Sequence, residues 1–274
     1  MKHATGSLLS VDVGERTATT EPIDDVLESY VGGRAVGTAL AYDRIPFDAD
    51  PFGPENRLYL ATGPLQHSQM SFTGRMSATA LSPLTDGLLS SNAGGFCSRN
   101  VVATGYAALE VTGASDDLVI VHVTDDGLEF EPVPDLEGAE TSDTCAHIES
   151  ERGLSADHTV TVGPAGENRV RFASLMTSRE RAFGRGGLGA VLGSKNVKAI
   201  TFDGDATPDV ELPPLQMDVH REAAQSDHIM KRQGTSSMTE FASTVNALPT
   251  RYFSELSFEG AGGISGDRVE EKKY

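Results

Sequence analysis

Apolar and polar positions alternate at the start of the chain in two short runs, Ser7 to Val13 and Thr17 to Pro22. Gly14-Glu15-Arg16 separates the two runs, so the pattern predicts an opening β-hairpin. Apolar residues at helical spacing follow over residues 24–42. Because Gly32-Gly33-Arg34 interrupts that spacing, we expect a helix that is broken there.

Short runs of apolar and β-branched residues continue through residue 203 and predict further strands. These runs lie at residues 57–62, 76–81, 106–112, 117–123, 128–132, 158–162, 169–175 and 197–203. One helix is predicted over residues 142–153, with Thr141 or Ser142 as its N-cap. Because many strands are accompanied by few helices, the pattern favours an α+β domain with a multi-stranded sheet over a regularly alternating parallel sheet.

The chain becomes helical in character after residue 209. Helices are predicted from Met217 to Gln233 and from Ser237 to Asn246. The polar run from Asp203 to Asp209 precedes them and is typical of a linker. We therefore predict a first domain over residues 1–206 and the start of a helical domain over residues 207–274.

The most distinctive segment runs from Arg181 to Gly189, with the sequence RAFGRGGLG. Glycines let backbone N–H groups approach a ligand closely, and two arginines four residues apart add fixed positive charge. This combination suits a phosphate or pyrophosphate, and in a chain of net charge -18 it predicts an anion-binding loop. A second interpretation is that the glycines only allow tight packing where a loop enters a short helix.

A third interpretation is a nicotinamide-binding turn. Gly184, Gly186 and Gly189 satisfy the G-x-G-x-x-G pattern, and Asp203 follows at about the spacing of the acidic residue in such proteins. A dinucleotide-binding turn, however, directly follows an apolar strand, whereas the polar run from Thr177 to Arg181 precedes these glycines. The pattern is therefore a weak indicator of nucleotide binding.

A second element of similar character lies earlier in the chain. Gly74-Arg75 is followed by the small and polar run Ser82 to Gly87, and then by Ser90 to Phe96. Each piece alone is typical of a turn, because Asn and Gly tolerate positive φ. Together with the later loop, they predict one extended polyanionic ligand that is held by loops from different parts of the chain.

Six ordered runs carry a family resemblance: YVGGRAVGTALAYDRI (30–45), DPFGPENRLYLATGPL (50–65), TGRMSATALSPLTDG (73–87), SNAGGF (91–96), GPAGENRVRFASLM (163–176) and RAFGRGGLGAVLGSKNVKAI (181–200). They resemble the amino-terminal domain of the aldehyde ferredoxin oxidoreductases, which are tungsten or molybdenum enzymes with a bis-pterin cofactor of the molybdopterin type and a [4Fe-4S] cluster. The resemblance covers most of residues 7–206 and implies that family's fold for the first domain.

The resemblance also implies which residues bind the cofactor. The family's corresponding G-R, S-N-x-G-G and R-A-x-G-R-G-G elements contact the pterin, and here they supply Arg75, Asn92, Gly94, Arg181, Ala182, Gly184 and Arg185. Backbone carbonyls at Asn92 and Ala182 are implied to help hold a Mg²⁺ ion that bridges the pterin phosphates, which suits a hard cation with oxygen ligands. The resemblance assigns no catalytic residue within this chain.

The two cysteines, Cys97 and Cys145, are isolated, so this sequence does not supply four ligands for an iron–sulfur cluster. A small buried thiol is the expected role of Cys97. Residues 230–274 resemble the family segment that precedes the cluster cysteines. The [4Fe-4S] site is therefore expected in further sequence, which would be a separately encoded carboxy-terminal half, the lost part of a disrupted gene, or the rest of a longer protein.

The resemblance implies that the complete enzyme oxidises a small aldehyde to a carboxylic acid and passes the electrons to ferredoxin. Catalysis by this chain alone is not expected, because the cluster and the residues near the metal come later in the family's polypeptide. The alternative is a non-catalytic scaffold, or a gene remnant, that binds pterin or another anion.

The charge balance narrows the setting. Asp and Glu number 40 against 22 Lys and Arg, and they are spread along the whole chain, which is typical of a halophilic protein that stays hydrated in molar salt. Nucleic acid is not an expected partner, because a phosphate backbone requires a basic face. No apolar run approaches the roughly 20 residues of a membrane span, so no membrane partner and a cytoplasmic location are expected. The histidines lack the paired spacing of a protein-ligated metal site.

Overall fold

The computed structural model describes residues 6–68, 70–207 and 215–273. The opening alternation forms the predicted hairpin, with β1 at Ser7–Asp12 and β2 at Thr17–Pro22. The predicted α+β class is confirmed, because two mixed sheets are combined with helices.

The predicted broken helix is also present, as α1 (Asp24–Tyr30) and α2 (Gly33–Arg44). Val31 has a positive φ of 65° and stops α1, and Gly32 is the N-cap of α2. The helix therefore breaks at the glycines, as the sequence pattern predicts.

The first sheet has six strands within the described residues. Besides β1 and β2, it contains β3 (Leu58–Ala61), β4 (Met76–Leu81), β5 (Leu88–Ala93) and β6 (Ala108–Thr112). The order is β2-β1-β6-β3-β4-β5, with β1 and β6 parallel and the other neighbours antiparallel. β5 therefore forms one edge of this sheet, and the β1–β2 hairpin forms the opposite edge.

The second sheet likewise has six strands in the described part of the chain. They are β7 (Val119–Thr124), β8 (Leu128–Pro132), β9 (Thr159–Thr161), β10 (Leu175–Thr177), β11 (Arg181–Phe183) and β12 (Val197–Asp203). The order is β11-β10-β9-β12-β7-β8, and β7 and β12 are the parallel pair. β11 is therefore an edge strand of this sheet.

The described residues of the first unit contain four more α-helices: α3 (Cys97–Ala103), α4 (Thr141–Arg152), α5 (Pro164–Glu167) and α6 (Leu188–Ser194). α6 is the short helix that the sequence predicts after the glycine-rich loop. All of its residues are buried, so the loop that leads into it is anchored in the protein interior.

Alternating side chains assign the two faces of each sheet. In β3, Leu60 belongs to a core that both sheets share, whereas Tyr59 packs among residues of α1 and α2. In β7, Val121 belongs to the shared core, whereas Ile120 packs with Ile148 of α4. The two sheets are therefore stacked face to face, and α2 and α4 cover their outer faces.

Two strand predictions fail at places where local sequence and tertiary pairing disagree. The strand predicted over residues 169–175 is wrong, because Arg169 has a positive φ of 54° and its N–H bonds to Gly166 in a turn that follows α5. Conversely, Ser90 to Ala93 look like a turn but belong to β5. Pairing with β4 overrides the low strand propensity of small polar residues.

The predicted N-cap of α4 is also wrong. The helix starts at Thr141, so its N-cap is Glu140, which is extended and makes no side-chain capping bond. The helix ends as expected, at Gly153 in the left-handed conformation.

The chain separates into two compact units, Met1–Pro214 and Leu215–Tyr274. The second unit contains α7 (Gln216–Gln225), α8 (Ile229–Gln233), α9 (Ser237–Thr244) and α10 (Gly266–Lys273). The single helix predicted from Met217 to Gln233 is wrong, because Ser226 is extended and His228 caps a new helix by accepting the Met230 N–H.

The predicted boundary between residues 206 and 207 stays a prediction. The end of the predicted linker, Pro208 and Asp209, lies outside the described residues. None of the described helices combines the length and the apolar composition that crossing a bilayer requires.

Candidate cofactor-binding site

Two edge strands from different sheets lie side by side and carry the two predicted anion-binding elements. β5 is the edge of the first sheet, and β11 is the edge of the second. The Arg185 backbone N–H donates a hydrogen bond to the Ser91 hydroxyl at 3.3 Å. A Cβ atom built on Gly95 would lie 3.4 Å from Cγ of Arg181. The fold therefore joins segments that are about ninety residues apart in the sequence.

The loop that carries Arg75 lies on the same surface. Gly74 has a φ of 106°, and a Cβ atom built on it would lie 2.6 Å from the Gly95 carbonyl oxygen. Such a separation is shorter than real Cβ contacts, so only glycine allows this approach. The glycine thereby brings the Arg75 loop against the turn that contains Gly94.

The family resemblance implies that Asn92 and Ala182 help to hold Mg²⁺, and these two residues lie on the two adjacent edge strands. Asn92 is in β5, where the Ser77 hydroxyl donates a hydrogen bond to its Oδ1 at 2.5 Å. Ala182 is in β11, opposite Met176 of β10. Because both residues belong to paired strands, their backbone positions are fixed by the sheets.

Three exposed arginines surround this junction: Arg75, Arg181 and Arg185. Within the described residues, their guanidinium groups make no ion pair and no hydrogen bond. Arg16 and Arg152, by contrast, pair with the carboxylates of Asp117 and Glu129. Unpaired cations on neighbouring segments of a chain of net charge -18 favour a bound anion.

Four glycines of the two anion-binding elements divide into two groups. Cβ atoms built on Gly94 and Gly184 would meet nothing within 4 Å, so these two backbones border open space. Cβ atoms built on Gly186 and Gly189 would instead lie 2.4 Å from Leu89 Cδ2 and 2.2 Å from the Ser174 oxygen. Tight packing therefore explains Gly186 and Gly189, whereas a ligand can approach Gly94 and Gly184.

The nicotinamide interpretation does not fit this arrangement. Two glycines of its pattern, Gly186 and Gly189, face packed protein atoms rather than open space. In addition, β11 and β12, which flank the loop and α6, are separated in the sheet by β10 and β9 and run antiparallel. A dinucleotide-binding unit requires parallel flanking strands, so this reading is wrong.

Comparison with known families is consistent with this geometry. Residues 8–204 match the family described as aldehyde ferredoxin oxidoreductase, N-terminal domain. This chain belongs to the aldehyde ferredoxin oxidoreductase family. The match covers the two stacked sheets and ends at the last strand of the first unit.

Similar members of the aldehyde ferredoxin oxidoreductase family extend beyond the region they share with this chain. The tungsten-containing aldehyde ferredoxin oxidoreductases of Pyrococcus horikoshii and Pyrococcus furiosus are 32% and 30% identical over 275 residues, which is 97% of this chain in both cases. The same alignments cover 45% and 46% of those proteins, so this chain spans about half of their length.

Two further proteins show how varied the similar oxidoreductases are. An aliphatic sulfonate oxidoreductase, WOR-like subunit, of Pyrococcus furiosus is 30% identical over 73% of this chain and 34% of its own length. The active site complex BamBC of benzoyl coenzyme A reductase, solved with 1,5-dienoyl-CoA, superposes with a TM-score of 0.76 and 29% identity. That superposition covers 86% of this chain and 36% of the other.

Acidic, histidine and cysteine side chains are not clustered as metal ligands in the part of the chain that the structure describes. No three His, Cys, Asp or Glu side chains in the described part of the chain are placed to hold a metal ion. Cys97 is buried, as predicted, and burial raises the pKa of its thiol to about 12. The chemistry of the junction is therefore that of cationic side chains and accessible backbone, which fits a phosphate-bearing cofactor.

One residue of the junction escapes sequence reasoning. Gln66 is buried, and its Oε1 accepts hydrogen bonds from the Gly74 N–H at 2.9 Å and from the Ser98 hydroxyl at 2.8 Å. It lies in an ordinary turn, and no motif in the sequence marks it. Only the tertiary structure places it between the Arg75 loop and α3.

Proposed function

We propose that this chain is the cofactor-binding part of a tungsten- or molybdenum-pterin aldehyde oxidoreductase. The observation that carries the proposal is the junction of β5 and β11, whose neighbouring segments carry two open glycines and three arginines that are unpaired within the described part of the chain. The similar Pyrococcus enzymes contain tungsten, which favours tungsten as the metal.

In this proposal, each group at the junction has a physical task. Arg75, Arg181 and Arg185 neutralise the pterin phosphates through charge-assisted hydrogen bonds. Gly94 and Gly184 let the cofactor approach the backbone, because no protein atom fills the space where a side chain would lie.

The backbone carbonyls of Asn92 and Ala182 would supply oxygen ligands to a Mg²⁺ ion of the bound cofactor. Both residues lie on adjacent edge strands, so the ion would tie the cofactor to both sheets at once.

The metal–pterin group supplies the redox chemistry when it is bound, and this chain supplies orientation and charge neutralisation. We propose that the complete enzyme converts a small aldehyde to a carboxylic acid and delivers electrons to ferredoxin through a [4Fe-4S] cluster. The cluster would be held by a carboxy-terminal part corresponding to the region of the relatives that this chain does not span. The acidic composition favours a halophilic, cytoplasmic setting.

The test is metal and pterin analysis of the chain purified from its native host in molar KCl, with the masses of all co-purifying polypeptides recorded. Arg75→Ala and Arg185→Ala are expected to lower pterin affinity about tenfold to a hundredfold, the usual value of a hydrogen bond to a charged group. Arg16→Ala is the matched control, because Arg16 is an exposed arginine in the hairpin at the opposite edge of the first sheet.

A wild-type chain with tungsten or molybdenum, pterin and a cysteine-rich partner would support the complete proposal. Unchanged pterin content in both variants, or a chain that carries neither metal nor pterin, would leave a non-catalytic scaffold.

A further inference from the structure

We propose that Gln66 is a positioning residue of the cofactor site, which fixes the Arg75 loop relative to the turn that contains Gly94. This inference rests on the proposed function and extends it to a residue outside every motif of the family resemblance. Gln66 has 7% of its surface exposed, and one side-chain oxygen serves two segments of the chain.

The first hydrogen bond controls the Arg75 loop. The Gly74 N–H is buried and donates to Gln66 Oε1 at 2.9 Å, one residue before Arg75. If this acceptor is lost, the buried Gly74 N–H is left without a hydrogen bond, and the free energy of the loop falls when the N–H moves towards water. The backbone at Arg75 would then lose its fixed position.

The second hydrogen bond controls the turn after β5. The Ser98 hydroxyl donates to the same Oε1 at 2.8 Å, and Ser98 lies in the first turn of α3, which directly follows Gly94, Gly95 and Phe96. Gln66 therefore holds both ends of the contact in which Gly74 rests against the Gly95 carbonyl. That contact sets the separation between Arg75 and the open backbone of Gly94.

Two substitutions at Gln66 separate hydrogen bonding from packing. Gln66→Met has a similar length and no strong acceptor, so it removes both bonds. Gln66→Glu keeps an acceptor oxygen in the same place. Ser68→Ala is the matched control, because the Ser68 hydroxyl donates to the Leu65 carbonyl and accepts from the Met70 N–H, and neither bond involves Gly74 or Ser98.

The experiment measures amide hydrogen exchange of Gly74 and pterin retention in the full chain, at temperatures where every variant is folded. Gln66→Met is expected to speed Gly74 exchange by about tenfold, in line with the loss of one buried hydrogen bond, and to lower the retained pterin. Gln66→Glu is expected to restore slow Gly74 exchange. Ser68→Ala is expected to keep both the slow exchange and the pterin.

The outcomes distinguish this inference from the proposed function. One result would overturn the positioning role of Gln66 and leave the proposed function intact. In that result Arg75→Ala loses pterin, whereas Gln66→Met keeps slow Gly74 exchange and retains all of its pterin. A wild-type chain that never retains pterin would overturn the proposed function and, with it, the role of Gln66 at a cofactor. A merely structural role would lower the unfolding temperature of Gln66→Met without changing pterin retention in the folded protein, and that result would also overturn the inference.

Discussion

Gly184 lies in the glycine-rich loop and Gly189 in the first turn of α6, and the two glycines should respond in opposite ways to substitution by alanine. A Cβ atom on Gly184 would meet nothing within 4 Å, whereas a Cβ atom on Gly189 would lie 2.2 Å from the Ser174 oxygen. Neither glycine has a positive φ, so the backbone conformation of both sites allows alanine. The largest contribution to the difference between the variants is therefore expected from packing.

For Gly184→Ala we expect stabilisation of about 0.4–1 kcal/mol, because alanine reduces the conformational entropy of the unfolded chain without a clash. For Gly189→Ala the new methyl group must move roughly 0.8 Å to reach an acceptable contact. Overpacking of this kind costs about 1–3 kcal/mol, and the displaced Gly189 N–H would also weaken its 3.0 Å hydrogen bond to Ala173, worth about 1 kcal/mol. The better helix propensity of alanine offsets up to about 1 kcal/mol of this loss.

The net expectation is a loss of about 2–3 kcal/mol in Gly189→Ala, so the two variants should differ by about 3 kcal/mol. For a unit of this size, that difference corresponds to roughly 6–12 °C in Tm. Urea unfolding followed by circular dichroism in molar KCl measures the free energy, and pterin analysis measures cofactor retention in the same samples.

Gly184→Ala should lose pterin although it is stable, because its methyl group enters the space assigned to the cofactor. Gly189→Ala should retain pterin below its unfolding temperature. Equal destabilisation of both variants would refute the division of these glycines into packed and ligand-facing ones. Full pterin retention by Gly184→Ala would refute the assignment of the open face.

Three further results are expected. Cys97 should resist alkylation at pH 8 in the folded chain, because burial raises the pKa of its thiol to about 12, and rapid labelling would contradict its burial. Burial lowers the pKa of His122 in the folded chain. The free energy of unfolding should therefore fall as the pH drops below about 6.5, where the histidine of the unfolded chain takes up a proton. In urea titrations at a series of pH values, His122→Gln should make this fall less steep. Amide hydrogen exchange should be fast over residues 215–273. Among these described residues Ala261 is the one buried hydrophobic residue, and Met238, Phe241 and other apolar side chains are exposed. Slow exchange of these amides in the isolated chain would contradict this prediction.

Much of the fold follows from local pattern. Short runs of apolar and β-branched residues mark β1, β4 and β12, and these strands form as predicted. The broken helix at Gly32 is equally local, because a glycine pair interrupts helical spacing wherever it occurs. The wrong predictions fall where contacts with distant segments decide the secondary structure. In β5, for example, small polar residues form a strand because they pair with β4.

The sequence by itself predicted anion-binding loops, because arginines and glycines at fixed spacing carry their charge and flexibility into any fold. It also determined the family, since six ordered motifs are a property of the chain. Only the tertiary structure decided which glycines border open space and which are packed, because glycines are chemically identical and differ only in the atoms that surround them in the fold. It also decided that β5 meets β11 and that Gln66 joins two loops, since such contacts arise when distant segments are packed into one core.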